Sequence, residues 1–335
     1  MRTKLRLGLV GTGTIAATHV QAVARATCAE IVGVADLRPE AARRVGEGLG
    51  VPSFDSHQAL GEALPLDGVL VCTPPSSHPE IAIHFLERGI SVLCEKPLAI
   101  DSRSARRMLE TAARSGSRLM MASKFRYVED VVRVREIVGS GELGEIILFE
   151  NAFTSRVDMQ GRWNSDPRVS GGGVLIDNGT HSVDLMRYFI GPVAELQVWE
   201  GPRSQGLPVE ETVTMLVRGA GGAMGTIDLS WTIHKDLGWY FNIYGSKGTV
   251  SIGWKESRYR KGGGEWERLG AGYDKLQALS AQLDNFCGVI RGEQQPVATP
   301  EDALASVEVI ETAYAALAEN RWQEVPRPSR TAQAR

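Results

Sequence analysis

The apolar run Leu5–Val10 ends directly in Gly11-Thr12-Gly13-Thr14-Ile15-Ala16, and a helical pattern, Ile15–Arg25, opens there. That junction restricts the fold of this chain more than any other stretch. It is G-x-G-x-x-A between a strand and a helix. In that setting the first glycine permits a tight turn, and the second lets a pyrophosphate approach the backbone. A small third residue lets the helix pack closely on the sheet. The helix N-terminus presents N–H groups and a dipole that favour an anion. Gly11, Gly13, Thr14 and Ile15 therefore read as a cradle for a dinucleotide.

The pattern that follows agrees. Apolar runs at Glu30–Ala35, Gly68–Cys72, Ser91–Cys94 and Arg118–Ala122 alternate with helical patterns at Pro39–Leu49, His57–Ala63, His78–Arg88 and Ser102–Ser115. Alternation at these lengths predicts a doubly wound parallel sheet with helices on both faces. After about Ser123 the pattern changes. A helix at Val131–Val138, a strand at Glu145–Phe153 and a helix at Val174–Phe189 precede strand-like stretches at Ala194–Trp199, Thr212–Val217, Ala223–Trp231 and Tyr240–Ile252. Runs of strands without helices between them predict a mostly antiparallel sheet. Helices at Lys275–Ile290 and Glu301–Asn320 close the chain. The expected fold class is α/β: a Rossmann domain over 1–123, a second α/β domain with an open sheet over 124–325, and a polar tail over 326–335.

In a parallel sheet, ligands bind beyond the carboxyl ends of the strands, so the residues there are the first candidates. Asp36 follows the second strand, 20 residues beyond Ala16. It suits the ribose 2′-hydroxyl of NAD and repels the 2′-phosphate of NADP. Arg38 can accept that phosphate and leaves NADP open. Thr73 and Pro74 follow the Gly68–Cys72 run and suit a wall beside the cofactor. His78 either touches the ligand or simply starts a helix. Glu95-Lys96-Pro97 follows Ser91–Cys94. A lysine there can hold a substrate hydroxyl or move a proton, and an X–Pro bond at such a turn is a candidate for cis.

Three glycines, Gly171–Gly173, open the helix that carries Asp177 and His181. The two are i,i+4 and share a face. The carboxylate can orient the imidazole, and the imidazole is a natural acceptor for a hydroxyl proton during hydride transfer. An ordinary helix pair is the structural alternative.

Composition narrows the partners. Lys and Arg total 37 against 40 Asp and Glu, a net charge of −3, which gives no footprint for nucleic acid or a membrane surface. No apolar run reaches the roughly 18 residues of a membrane span. No leader-like segment and no metal-ligating cluster is read. The four cysteines form no C-x-x-C pair, and Cys72 and Cys94 lie in strand-like runs. A cytoplasmic protein with reduced thiols is expected.

These motifs together resemble the Gfo/Idh/MocA (glucose–fructose oxidoreductase, inositol dehydrogenase, rhizopine-catabolism) family. The resemblance rests on Gly11–Ala16, Thr73-Pro74, Glu95-Lys96-Pro97, the segment Gly171–Asp184 and the turn Gly245-Ser246-Lys247-Gly248, and it spans Leu5 to about Trp322. It implies hydride transfer between a nicotinamide cofactor and a secondary carbinol of a sugar, cyclitol or nucleotide sugar. It also implies a homodimer or homotetramer, to which exposed Trp199, Leu229 and Trp231 would contribute. By the same resemblance Lys96 positions the substrate hydroxyl, His181 is the general acid/base, Asp177 assists, and Glu95 lies near the nicotinamide ribose. Arg126, Tyr127, Arg156, Trp163 and Asn164 are expected around the substrate. The sequence departs from the family pattern at Lys124 and at Arg162-Trp163-Asn164. With Arg156 and Arg168, Lys124 and Arg162 would make the substrate site basic and suit an anionic sugar. Transient redox without net NADH, and an NAD-binding regulatory protein, are the alternative functions.

Overall fold

In a computed structural model, which describes residues 3–326, the apolar runs of the first third form one parallel sheet. Its strands are β1 (Leu5–Val10), β2 (Ala29–Ala35), β3 (Ser53–Phe54), β4 (Gly68–Val71), β5 (Ser91–Cys94) and β6 (Leu119–Met121). The order is β3-β2-β1-β4-β5-β6. The joining helices are α1 (Thr14–Arg25), α2 (Pro39–Leu49), α3 (His57–Ala63), α4 (His78–Leu86) and α5 (Ser102–Ser115). The strands β4, β5 and β6 are buried along their whole length. That explains their continuous apolar sequences, since helices cover both faces of such a sheet. Local signals set the helix ends: Pro39 starts α2, and the Asp101 carboxylate accepts from Ser104 N–H at 2.7 Å to cap α5. The two-residue strand β3 is too short for any periodicity to reveal.

The remaining elements are α6 (Glu129–Gly139), β7 (Ile146–Thr154), α7 (Pro167–Ser170), α8 (Val174–Ile190), β8 (Val193–Glu200), β9 (Thr212–Gly219), β10 (Met224–Ser230), β11 (Trp239–Gly245), β12 (Gly248–Gly253), β13 (Ser257–Lys261), β14 (Glu267–Gly270), α9 (Lys275–Ile290), α10 (Pro300–Glu319) and β15 (Gln323–Glu324). They build a nine-stranded sheet in the order β14-β13-β12-β11-β7-β10-β9-β8-β15. Among the described residues of this sheet, only β7 and β10 pair in parallel. The stretch Tyr240–Ile252, interrupted by the turn at Gly245–Gly248, is the hairpin β11–β12. Strands β13, β14 and β15 escaped the sequence because they are short and largely polar.

One face of this sheet packs on α8. Along β9, Val213, Met215 and Val217 are buried while Thr214 and Arg218 point the other way. Register places Trp199, Thr214 and Asp228 in one row of the opposite face. Trp199 is 46% exposed, but Leu229 and Trp231 are buried. The expected apolar oligomer face is corrected accordingly: Leu229 belongs to the covered side, and the open face carries polar Thr214, Asp228 and Glu150 as well.

The chain forms two compact units. Of the described residues, one unit holds those up to Val128 with Asp274–Leu304, and the other holds Glu129–Tyr273 and those from Ala305 on. The chain leaves the first unit after Val128 and returns to it at Asp274. The reason is apolar burial: α9 contributes Leu283, Phe286, Cys287 and Val289 to the same core as Leu7, Leu9, Val34, Leu70 and Leu93. Of the tail read at 326–335, everything beyond Pro326 lies outside the described residues. No described helix is long and apolar enough to cross a membrane.

Candidate active site

In the first unit, the strand ends of the parallel sheet converge. Gly11 has φ +89°, and a Cβ there would lie 2.6 Å from the Cys72 carbonyl oxygen, so only glycine suits the position. Its N–H donates to the Ala35 carbonyl at 2.8 Å. Gly13 is different. Its backbone is ordinary extended, and a Cβ would meet nothing within 4 Å. No group of the protein requires glycine there. The space lies at the N-terminus of α1, where Gly13 supplies no side-chain cap and Thr14 is exposed. Room at a helix N-terminus that a side chain would fill fits an approaching pyrophosphate. Ala16 is buried against the sheet, as the motif requires.

Asp36 stands at the end of β2. Its Oδ2 accepts from Thr12 N–H at 2.8 Å and the Thr12 hydroxyl at 2.7 Å; its Oδ1 accepts from Arg38 N–H at 2.9 Å and Nε at 3.1 Å. Burial pushes this carboxyl up, but the Arg38 and Thr12 hydrogen bonds outweigh it and hold its pKa at about 2. The acid and the arginine weighed against each other in sequence thus form one ion pair, which keeps a negative charge where a ribose is expected. Asp36→Ala removes a charged acceptor worth about 1.5–3 kcal/mol, or roughly 10- to 100-fold in affinity. It also releases Arg38. Titration with both cofactors should show weaker NAD binding and a reduced preference over NADP; an unchanged preference would remove Asp36 from that role.

Thr73 and Pro74 lie half-buried at the end of β4, with Thr73 Oγ1 accepting from Ser77 Oγ at 2.8 Å. His78 does not point to a ligand. It is 0% exposed, with Nδ1 2.9 Å from the Pro97 carbonyl and Nε2 2.8 Å from the Thr73 carbonyl. Its expected cofactor contact is corrected: both ring nitrogens are engaged by backbone, and the imidazole braces the β4 and β5 loops. Burial lowers its pKa against the pull of those carbonyls. The Lys96–Pro97 bond is cis, and Lys96 is half-buried at the end of β5.

Glu95 beside it is buried. Its Oε1 lies 2.7 Å from His19 Nε2, and its Oε2 accepts from Lys96 N–H at 3.2 Å. Burial pushes the carboxyl up, yet His19, Lys124 and Lys96 together bring it down to about 2. A depressed carboxyl contributes stability above its unfolded pKa near 4.5, and that contribution fades as pH falls towards 2. Sequence reading missed His19. It is one histidine on the buried side of α1, and nothing in its spacing names its partner 76 residues away.

Two other expectations are corrected. Arg126 is 2% exposed; its guanidinium donates to the Asp302 carboxylate at 2.8 Å and the Val297 carbonyl at 3.0 Å. Tyr127 is buried and donates to Asn285 Oδ1 at 2.9 Å. Both anchor the returning segment that carries Asn285, Val297 and Asp302 within the first unit.

In the second unit, α8 carries Asp177 in its first turn and His181 one turn later. His181 is 9% exposed and meets the Phe153 ring edge-on at 6.4 Å. Asn164 Nδ2 lies 3.5 Å from Asp177 Oδ2. A buried acid, also missed, fixes the start of this helix. Glu210 Oε1 accepts from Gly173 N–H at 2.8 Å, Leu175 N–H at 3.1 Å and the Tyr314 hydroxyl at 2.8 Å. The glycine run is needed for this packing: a Cβ on Gly172 would overlap the Tyr314 hydroxyl, and one on Gly173 the Glu210 carbonyl. Trp163, Arg156 and Arg162 are exposed. Arg168 is paired with Asp166 at 2.9 Å, and Lys124 spends its charge near Glu95. The basic character expected of these four residues is thus partly cancelled. Among the described residues, no group of three or more His, Cys, Asp and Glu could hold a metal.

A glycine turn at the switch point of a parallel sheet, with an acid after the second strand, defines a dinucleotide-binding protein of Rossmann type. Residues 5–123 match the oxidoreductase family with an NAD-binding Rossmann fold, and residues 131–251 match the GFO/IDH/MocA C-terminal domain. The rhizopine catabolism protein MocA of Rhizobium meliloti is 30% identical over 323 residues, 93% of this chain and 94% of that protein. An inositol 2-dehydrogenase of Rhizobium meliloti (strain 1021) is 25% identical over 339 residues, 95% of this chain and 98% of that one. Among solved structures, the WlbA dehydrogenase of Bordetella pertussis, in complex with NADH and UDP-GlcNAcA, has a TM-score of 0.86 at 24% identity, covering 97% of this chain and 99% of that one. The chain belongs to the GFO/IDH/MocA family and is an NAD-binding oxidoreductase.

Proposed function

We propose that this protein oxidises a secondary carbinol of a sugar, cyclitol or nucleotide sugar, with Lys96, Asp177 and His181 as its acid–base groups. What carries the reading is the pair Asp177 and His181, one turn apart on a helix whose start is fixed by Glu210. The relatives support the substrate class: they include inositol 2-dehydrogenases and a D-glucoside 3-dehydrogenase, and a similar fold is found in a levoglucosan dehydrogenase solved with NADH and levoglucosan.

In this reading Gly13 and the N-terminus of α1 hold the pyrophosphate, and Asp36 holds the adenosine ribose. The chemistry NAD supplies when bound is acceptance of a hydride from the carbinol carbon. Lys96 donates a hydrogen bond to the reacting hydroxyl and stabilises the charge that develops on its oxygen. His181 Nε2 or Nδ1 takes the hydroxyl proton as the carbonyl forms. Asp177 orients the ring and offsets the imidazolium charge. Residues Trp163, Asn164 and Arg156 are assigned to the substrate side. The protein works as a homo-oligomer in the cytoplasm.

The test is a turnover assay that offers NAD and NADP separately with inositols, aldoses, uronic acids and nucleotide sugars. NADH formed with one of these classes is the expected result. An altered sugar with no net NADH would replace this reading with transient redox chemistry. No change in any substrate would remove the substrate class.

A further inference from the structure

The carboxyl ends of the parallel strands carry two acids in different settings. Asp36 closes the β2 side, paired with Arg38. Glu95 closes the β5 side, 9% exposed, with one oxygen on His19 and the other on Lys96 N–H. In a sheet of this strand order a dinucleotide crosses the switch point between β1 and β4, and its two nucleosides fall on opposite halves. Asp36 marks the half for the adenosine. The nicotinamide nucleoside therefore falls on the half of β4, β5 and β6, where the only buried carboxylate at a strand end among the described residues is Glu95.

We propose that Glu95, held by His19, is an electrostatic positioning residue that makes the site favour the oxidised, cationic nicotinamide over the reduced, neutral one. The inference rests on the family's NAD binding and on no particular substrate. A fixed charge changes the binding of a cation and a neutral ring of the same shape by different amounts, whereas loss of packing weakens both alike. That difference separates a charge effect from a structural one.

The surroundings keep Glu95 charged. His19 reaches it from α1, Lys124 from the turn after β6, and Lys96 from its own loop. His78 on α4, Cys72 after β4 and Cys94 on β5 also feel its charge. Burial favours the neutral form of these last three. The charged groups around Glu95 are thus lysines, with His19 as direct partner. His19 holds the carboxylate ionised, and it does so from the helix whose N-terminus takes the phosphates.

The experiment measures dissociation constants of NAD+ and NADH separately, by calorimetry, for the wild type, Glu95→Gln, His19→Ala and His19→Gln. Glu95→Gln keeps the shape and removes the charge. It should weaken NAD+ about tenfold more than NADH, the size expected for one charge several ångströms away in a partly screened site. His19→Ala removes the partner but not the acid, so its carboxyl should protonate more readily. The selective loss of NAD+ should then grow as the pH is lowered, because more of the carboxyl is neutral. His19→Gln retains a donor and should follow the wild type. If Glu95→Gln shifts both affinities by one common factor, or neither, the proposal is wrong and Glu95 is only a structural anchor. Should Glu95→Gln not fold, the pH dependence of the His19→Ala ratio decides on its own, and a flat ratio overturns the idea. If the wild type binds neither form, NAD binding itself fails, which is a different result from an unselective variant.

Discussion

His181→Ala is expected to lower kcat/KM by roughly 10²–10⁴-fold, the range for loss of a general acid–base group, while NADH binding is kept. The imidazole sits on α8, 9% exposed, one turn beyond Asp177 and edge-on to Phe153. The first unit carries the glycine turn and Asp36, so a change on α8 leaves the cofactor's binding groups intact. Lys96→Ala should cost a similar factor for a different reason: the reacting oxygen loses its cationic donor. If the two side chains serve one proton transfer, the double variant should fall well short of the product of the single losses, because groups that act as a unit are not additive. Measurement needs steady-state turnover of the best substrate and NADH titration for all three variants. Turnover within a few-fold of wild type in either single variant would strip that residue of its assigned role. Loss of NADH binding together with turnover would show a structural failure instead.

Gly13→Val should leave the fold intact and weaken cofactor binding. The backbone at Gly13 is extended, which suits a β-branched residue, and a Cβ there meets no protein atom within 4 Å. Thermal unfolding without cofactor should stay close to wild type. The added side chain would instead occupy the space at the N-terminus of α1. Overpacking costs about 1–3 kcal/mol or more, so NAD affinity should fall by roughly 10- to 100-fold at least. Gly11→Val makes the contrast. Its φ of +89° and the nearby Cys72 carbonyl mean that substitution there strains the protein itself, and unfolding should shift even without cofactor. Equal NAD binding by Gly13→Val and the wild type would show that the phosphates lie elsewhere.

Much of this protein is written in local rules. The glycine turn, the apolar runs of the parallel sheet and the helix starts at Pro39 and Asp101 follow from backbone sterics, period and capping, which act over a few residues. The i,i+4 pair Asp177 and His181 is local for the same reason, and so the sequence by itself determined the fold class and singled out the candidate cofactor turn and the candidate catalytic helix. Spacing along a chain does not encode which distant groups meet. Tertiary packing decided that α9 completes the core under β1 and β4, so that the chain returns to its first unit. It turned Arg126 and Tyr127 inward to Asp302 and Asn285, and it used both nitrogens of His78 as a brace. It also joined His19 to Glu95 and placed Glu210 under the start of α8. Each of these satisfies a polar group taken out of water, and the partner that does so is fixed by where burial brings the chain, not by position in the sequence.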